Sequence, residues 1–122
     1  MVGSESYGEM KMMISSVLSA LLALTAAQQV RDGVTAAQGA YTSCLSRFSQ
    51  ASLSDRKSTA DFTTALPQQC TEQERAYREA MIRRDTASRI RRAEAEEAAN
   101  EEIQYARQNV LEMYTESMTP PR

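Results

Sequence analysis

Histidine and tryptophan are absent from the 122-residue sequence, and glycine and proline are scarce. Without histidine, the chain lacks the commonest general base near neutral pH and the commonest nitrogen ligand of protein-bound metals. It also has no glycine-rich phosphate-binding motif. Adjacent acids such as Glu96 and Glu97 point about 100° apart on a helix, so they do not converge on one substrate. The sequence therefore predicts a protein that is not an enzyme, with no catalytic residue, no cofactor and no metal site.

One apolar run, residues 10–30, has the order of a secretory signal peptide. Lys11 is followed by an uncharged stretch from Met12 to Leu24 and then by the small residues Thr-Ala-Ala. This stretch is shorter than the roughly 20 apolar residues that cross a bilayer, and it contains three serines. We predict that residues 1–27 are a cleaved signal peptide, with Met10 as a second candidate for the start. The alternatives are an uncleaved N-terminal membrane anchor and a buried core helix.

The remaining residues, 28–117, are predicted to form a single all-α domain, followed by a disordered tail at 118–122. Their net charge is close to zero, which argues against general attraction to nucleic acid or to anionic lipid. Good helix formers such as Ala, Gln, Glu and Arg are abundant. A first helix is indicated by apolar residues at alternating steps of four and three, which lie on one helical face. These residues are Val30, Val34, Ala37, Tyr41, Cys44 and Phe48.

A connection is predicted at residues 49–58, because Ser, Asp and Thr favour turns and caps. A short helix is predicted at 59–66, ended by Pro67. The next helix has a capping-box signature in Thr71 and Glu74, in which each side chain bonds the other residue's backbone amide.

Cys44 and Cys70 are the two cysteines of the chain. In an oxidising compartment they are expected to form a disulfide that clamps the first helix to the start of the capped one. The alternatives are free thiols in a reducing compartment and redox or intermolecular chemistry, although the close C-x-x-C motif of thiol catalysts is absent.

The segments "YTSC" (Tyr41 to Cys44) and "ALPQQCTEQERAY" (Ala65 to Tyr77) resemble a pattern of small exported helical proteins of proteobacteria. The resemblance covers about half of the chain. It implies a bacterial cell-envelope setting and a disulfide-tied helical unit, and it carries no activity to this chain. The predicted location is therefore the periplasm or the exterior of a bacterium, or the inner membrane if residues 1–27 are retained.

From Thr71 to Ser117 the sequence has neither glycine nor proline, which predicts one long helix over residues 71–117. Its apolar stripe is interrupted near Arg84, Ser88 and Arg91, so a uniform coiled-coil seam is not predicted. We expect its first turns to pack on the disulfide-tied core and its later part to project or to bind a partner.

Charge along this helix falls into two blocks. Residues 75–92 have a net charge of +5, and residues 94–116 have a net charge of −6. An antiparallel second copy would align opposite blocks, with Ile103, Val110, Met113 and Tyr114 as apolar contacts; a charged partner and a merely solvated surface are the alternatives. The arginines Arg89, Arg91 and Arg92 would contact nucleic acid only if the chain stayed in the cytoplasm, and no nucleic acid is expected.

Together these patterns predict a disulfide-clipped helical hairpin with a short extra helix, extended by a long charged C-terminal helix. The predicted function is a non-catalytic binding or structural role in the bacterial envelope, through helix packing to an unknown protein or to a second copy. Tyrosines such as Tyr41, Tyr77 and Tyr105 are interpreted as packing or interface residues. Membrane contact is expected only if the apolar N-terminal segment is not cleaved.

Overall fold

A computed structural model describes the backbone of residues 5–120 and the side chains of residues 25–120. The fold is all-α, as the composition predicts. The helices are α1 (Glu5–Ser54), α2 (Thr59–Ala65), α3 (Thr71–Ala87) and α4 (Arg92–Met118), with a 3₁₀ turn at Leu66–Gln68 between α2 and α3.

Two compact units divide the chain between Asp32 and Gly33. The first contains the N-terminal part of α1, and the second contains the rest of α1 and the other helices. The predicted signal peptide, residues 1–27, falls mostly on residues whose side chains lie outside the described part, and it stays a prediction. In the part of the chain that the structure describes, no helix is long and apolar enough to cross a membrane. All contacts below belong to the second unit.

α3 and α4 form an antiparallel helical hairpin, so the prediction of one continuous helix over residues 71–117 is wrong. α3 ends at Ala87, and α4 begins at Arg92. Glu74 and Arg107, which are 33 residues apart, meet across the hairpin through their side chains. The expectation that the later part of the helix projects away from the core is wrong for the same reason, because α4 folds back over α3.

The chain reverses after α3 through a Schellman motif. The N–H of Ile90 donates to the carbonyl of Asp85, and the N–H of Arg89 donates to that of Thr86, both at 3.1 Å. The left-handed residue in this motif is usually glycine. Here it is Arg89, with φ of 67°, and Arg56 has φ of 54° in the same position after α1. A non-glycine residue in this left-handed conformation costs about 1–2 kcal/mol relative to right-handed backbone. Because neither residue is glycine, the sequence lacks the usual signal of a helix end at both positions.

α1 extends to Ser54, so the predicted connection at 49–58 starts too early. The hydroxyl of Ser49 donates to the carbonyl of Leu45 at 3.0 Å, and that of Ser54 donates to the carbonyl of Gln50 at 3.1 Å. These serines bond carbonyls four residues earlier, within the helix, instead of turning the chain. The short helix predicted after this connection is present as α2.

The predicted capping box at Thr71 and Glu74 is also wrong. Cys70 is the residue that precedes α3, with left-handed backbone at φ of 59°, and no side chain caps the helix there. The carboxylate of Glu74 instead contacts the guanidinium groups of Arg107 and Arg78. Two partly buried cations therefore take the carboxylate away from the backbone amide that it was expected to bond.

The predicted disulfide between Cys44 and Cys70 is confirmed, with a Cα–Cα distance of 6.0 Å. It joins α1 to the start of α3 over a sequence separation of 26 residues. In the chain-entropy model a loop of this size contributes about 3.5 kcal/mol to stability. A disulfide is compatible with an oxidising compartment outside the cytoplasm.

One hydrophobic core forms where α1 packs on α2, α3 and α4. The predicted apolar stripe of α1 faces this core from Val34 to Phe48. At one end, the Phe62 ring stacks on Tyr114 with centroids 3.7 Å apart and on Phe48 at 5.1 Å. The Tyr114 hydroxyl donates to the carbonyl of Lys57 at 2.6 Å. Tyr114 thus ties α4 to the connection between α1 and α2.

Candidate functional site

A surface groove runs between α1 and α4. Its first hollow, of about 180 Å³, and its second, of about 120 Å³, share Thr42 and Val110. Successive residues of α1 line the groove beside successive residues of α4 in the same chain direction. The two helices are therefore parallel along the groove, whereas α3 runs antiparallel to α4.

The first hollow combines aromatic and polar side chains. Its walls include the buried Tyr41 and Tyr77, together with Tyr105, which is 63% exposed. Its other lining residues are Gln38, Thr42, Leu45, Glu102, Ala106, Asn109 and Val110. It can therefore offer ring surface, amide groups and one carboxylate to a bound group.

The second hollow has a less polar lining than the first, and this lining includes Met113. Leu53, Val110 and Met113 supply its aliphatic lining, and serine and threonine side chains supply the rest together with Tyr114. Met113 is 60% exposed. A flexible, polarisable methionine at the surface suits contact with an irregular apolar partner.

Glu102 is the one charged residue that lines either hollow. Glu101 and Glu116 are also exposed on α4, and none of the three forms a salt bridge within the described residues. Among the described residues, no lysine or arginine lines either hollow. The groove and the adjoining surface of α4 therefore favour a cationic partner over an anionic one.

Beneath the first hollow lies a polar cluster of Tyr41, Glu74, Arg78 and Arg107. Glu74 is the carboxylate partner of both arginines. The Tyr41 hydroxyl and the Nε atoms of Arg78 and Arg107 are buried without a hydrogen-bond partner in the described structure. Burial raises the pKa of Tyr41, and the neighbouring Arg107 guanidinium opposes part of that rise. The neutral phenol is thus the favoured form in the fold.

Tyr77 is buried and forms part of the inner wall of the first hollow. Burial raises its pKa, the Glu102 carboxylate adds to the rise, and Arg84 opposes it. Tyr77 therefore has the Glu102 carboxylate and the Arg84 guanidinium as charged neighbours with opposite effects on its pKa.

The predicted interface residues fall into three places. Val110 and Met113 line the groove, as an interface requires. Ile103 and Tyr114 are each 1% exposed and pack within the chain's own core, although Tyr114 also lines the second hollow. An apolar stripe in a sequence does not reveal whether it meets its own chain or another.

The predicted arginines lie at the opposite end of α4 from Met113. Arg89 is in the turn between α3 and α4, while Arg91 and Arg92 form local ion pairs with Glu94 and Glu96. The structure does not bring this cluster to the groove. The described residues also contain no group of three or more acidic, cysteine or histidine residues placed to hold a metal ion.

Of the groove residues, Glu102 was not predicted to contact a partner, and Tyr105 was interpreted only in general terms as a packing or interface residue. Their role depends on α1 lying beside α4, which no local pattern encodes. The signal in the sequence is an aromatic residue within an otherwise acidic helix, and it becomes informative only after the hairpin is known. Comparisons with protein-family models, curated proteins and solved structures give no match.

Proposed function

We propose that this chain is a non-catalytic binding protein of the bacterial envelope, and that its α1–α4 groove binds an amphipathic helix of a partner protein. The polar face of that helix is basic. Function thus resides in helix packing, and the disulfide and core hold α1 and α4 in the register that forms the groove.

The observation that carries this proposal is the exposure of Tyr105 and Met113 along a groove whose described lining includes Glu102 and no lysine or arginine. Large side chains at 63% and 60% exposure can still bury apolar area against a partner. Methionine and tyrosine are enriched in the buried centre of protein interfaces. The acids on α4 supply complementary charge for a basic helix and would accelerate its association.

An extracytoplasmic location is supported by the signal-like order of residues 10–30 and by the disulfide. We place the protein in the periplasm or outside the cell. Retention of residues 1–27 would make it an N-terminally anchored membrane protein instead. The intact mass of the chain isolated from an envelope fraction separates these two outcomes, because cleavage removes the mass of 27 residues.

Self-association through antiparallel charge blocks is less favoured than a separate partner. The hairpin already places α3, which carries four of the seven arginines of the basic block, antiparallel to the acidic helix α4 within one chain. A second copy would therefore have to compete with a contact that each chain makes by itself. Dimer formation is accordingly treated as an outcome of the experiment below.

The experiment uses two synthetic amphipathic helices with the same apolar face, one with a lysine- and arginine-rich polar face and one with an acidic polar face. Binding to the full chain is followed by fluorescence anisotropy of labelled peptide. We expect the basic peptide to bind and the acidic one not to bind. Replacing Tyr105 and Met113 together by serine should weaken the basic peptide about tenfold, equivalent to about 1.4 kcal/mol.

The matched control is Ile90→Ser, which removes an exposed apolar side chain, 41% exposed, in the turn between α3 and α4. This variant should bind as the parent does. Equal weakening by both variants, or equal binding of both peptides, would contradict the groove as the docking site. A dimer in sedimentation velocity that the Tyr105 and Met113 replacements abolish would assign the groove to a second copy and overturn the proposal.

A further inference from the structure

The first hollow of the groove has the features of a receptor for a single organic cation. At about 180 Å³ it is far larger than the roughly 10–15 Å³ that holds one water molecule. Tyrosine rings from three helices line it, and the amides of Gln38 and Asn109 lie among them. A planar group can therefore find both ring surface and hydrogen-bond acceptors in the same place.

Glu102 is the acid that lines this hollow, and it differs from several other acids on the hairpin surface in having no arginine partner among the described residues. Glu94 and Glu96 pair with arginines one turn away, and Asp85 pairs with Arg84. Glu102 lines the hollow and forms no such pair in the described part of the chain. The hollow therefore presents a carboxylate whose cation has to come from outside.

Guanidinium matches this set of groups better than ammonium does. It is planar, stacks on aromatic rings, and donates two parallel hydrogen bonds to one carboxylate. Its remaining N–H groups need acceptors, and the amide oxygens of Gln38 and Asn109 are in the lining to accept them. An ammonium group is a compact point charge and uses ring stacking and bidentate geometry less well.

We infer that Glu102, Tyr105 and Tyr77 form a binding pocket for an arginine side chain, which the docked basic helix inserts into the first hollow. This inference rests on the proposed function, because it identifies the anchor residue of the same partner helix. Glu102 supplies the counter-charge, the exposed ring of Tyr105 covers one face of the guanidinium, and Tyr77 closes the inner wall.

N-methylguanidinium is the probe for this pocket, titrated into the full disulfide-bonded chain and followed by NMR. Concentrations reach about 0.1 M, since a single exposed ion pair with ring contacts binds weakly. Sodium chloride at the same ionic strength serves as the reference. We expect saturable shifts at Glu102, Tyr105, Tyr77 and the side-chain amides of Gln38 and Asn109, and about twofold weaker binding of methylammonium.

Glu102→Gln should weaken N-methylguanidinium about fivefold while preserving the fold, because Glu102 is exposed. Glu97→Gln is the matched control: it removes the same charge from an exposed position on the same helix, about 140° away from Glu102 around the helix axis, and it should leave binding unchanged. Equal effects of the two variants would reduce the pocket to general charge attraction and overturn the inference, as would the absence of saturable shifts.

The two proposals fail separately. If N-methylguanidinium binds in a Glu102-dependent manner while neither helical peptide binds the groove, the pocket stands and helix docking fails. If the basic peptide binds and Glu102→Gln leaves its affinity unchanged, docking stands and the arginine anchor is wrong.

Discussion

Tyr41 and Tyr114 are buried to the same extent, each at 1% exposure, but their hydroxyl groups meet different surroundings. Tyr114 lies at the aromatic end of the core, stacked on Phe62, and its hydroxyl donates to the carbonyl of Lys57. Tyr41 lies in the polar cluster beside the groove, and its hydroxyl makes no well-aligned hydrogen bond in the described residues, although the Arg107 guanidinium is close enough to oppose the rise in its pKa. The aromatic end is thus fully satisfied and specialised for stability, whereas the cluster retains unpaired polar atoms next to the candidate site.

Among the substitutions that test this comparison, Phe62→Ala is expected to cause the largest loss of stability. The Phe62 side chain is fully buried and stacks on both Phe48 and Tyr114, so its removal leaves a cavity and breaks both contacts. We expect a loss of about 3–5 kcal/mol in the free energy of unfolding, measured with urea in the disulfide-bonded protein. Ile90→Ala, at an exposed position, should change stability by less than about 0.5 kcal/mol. A similar loss in the two variants would show that the aromatic end is not the centre of stability.

An intermediate effect is expected from Tyr114→Phe. The ring remains stacked, but the Lys57 carbonyl loses its 2.6 Å donor in a part-buried site. This should cost about 1–2 kcal/mol, again measured by urea unfolding. An unchanged stability would mean that solvent satisfies the carbonyl equally well, and that the hydroxyl does not fasten α4 to the connection after α1.

The smallest effect near neutral pH is expected from Tyr41→Phe, which removes a buried hydroxyl that makes no well-aligned hydrogen bond to the residues that the structure describes. Stability should stay within about 1 kcal/mol of the parent or increase, in contrast to Tyr114→Phe. A loss as large as that of Tyr114→Phe would mean that the Tyr41 hydroxyl is bonded in solution.

Alkaline pH should increase the difference in stability between the parent protein and Tyr41→Phe. Burial raises the pKa of Tyr41 above its unfolded value near 10, so the folded state retains a proton that the unfolded state releases. The stability from this neutral phenol is complete below about pH 10 and is lost as pH rises towards the folded pKa. Urea unfolding at about pH 8 and about pH 11 should therefore show a smaller alkaline loss in Tyr41→Phe than in the parent, with Tyr77 responsible for part of what remains. An equal loss in both proteins would contradict the assignment to Tyr41.

The all-α fold, the disulfide and the buried face of α1 could be predicted from the sequence because each depends on local information. Apolar residues with a helical period identify a buried face, and two cysteines permit one intramolecular pair. The reversal between α3 and α4 could not be predicted in this way, since Arg89 occupies the left-handed position where glycine is the recognised signal. The interruption of the apolar stripe at Ser88 indicated where the two helices separate, but not the conformation of the turn between them.

The candidate site was less predictable than the fold because it belongs to two helices that are distant in sequence. Val110 and Met113 were identified from their apolar character, and they line the groove. Ile103 and Tyr114 have the same character but are buried in the core, with Tyr114 also lining the second hollow, since burial depends on which face α4 turns towards α3 and α2. Glu102 becomes a candidate ligand only when Tyr77 and Tyr105 surround it.

The bond between Cys44 and Cys70 also decides which parts of the chain can be separated by a single cut. It closes a covalent ring that includes the end of α1, the connection from α1 to α2, α2 itself and the segment between α2 and α3. One proteolytic cut at the exposed Asp55 or Arg56 leaves the molecule in one piece until the disulfide is reduced. The helix α4 lies outside the ring and is joined to it through α3 and the turn at residues 88–91. A single cut in that turn severs α4 from the ring, and with it the acidic wall of the groove.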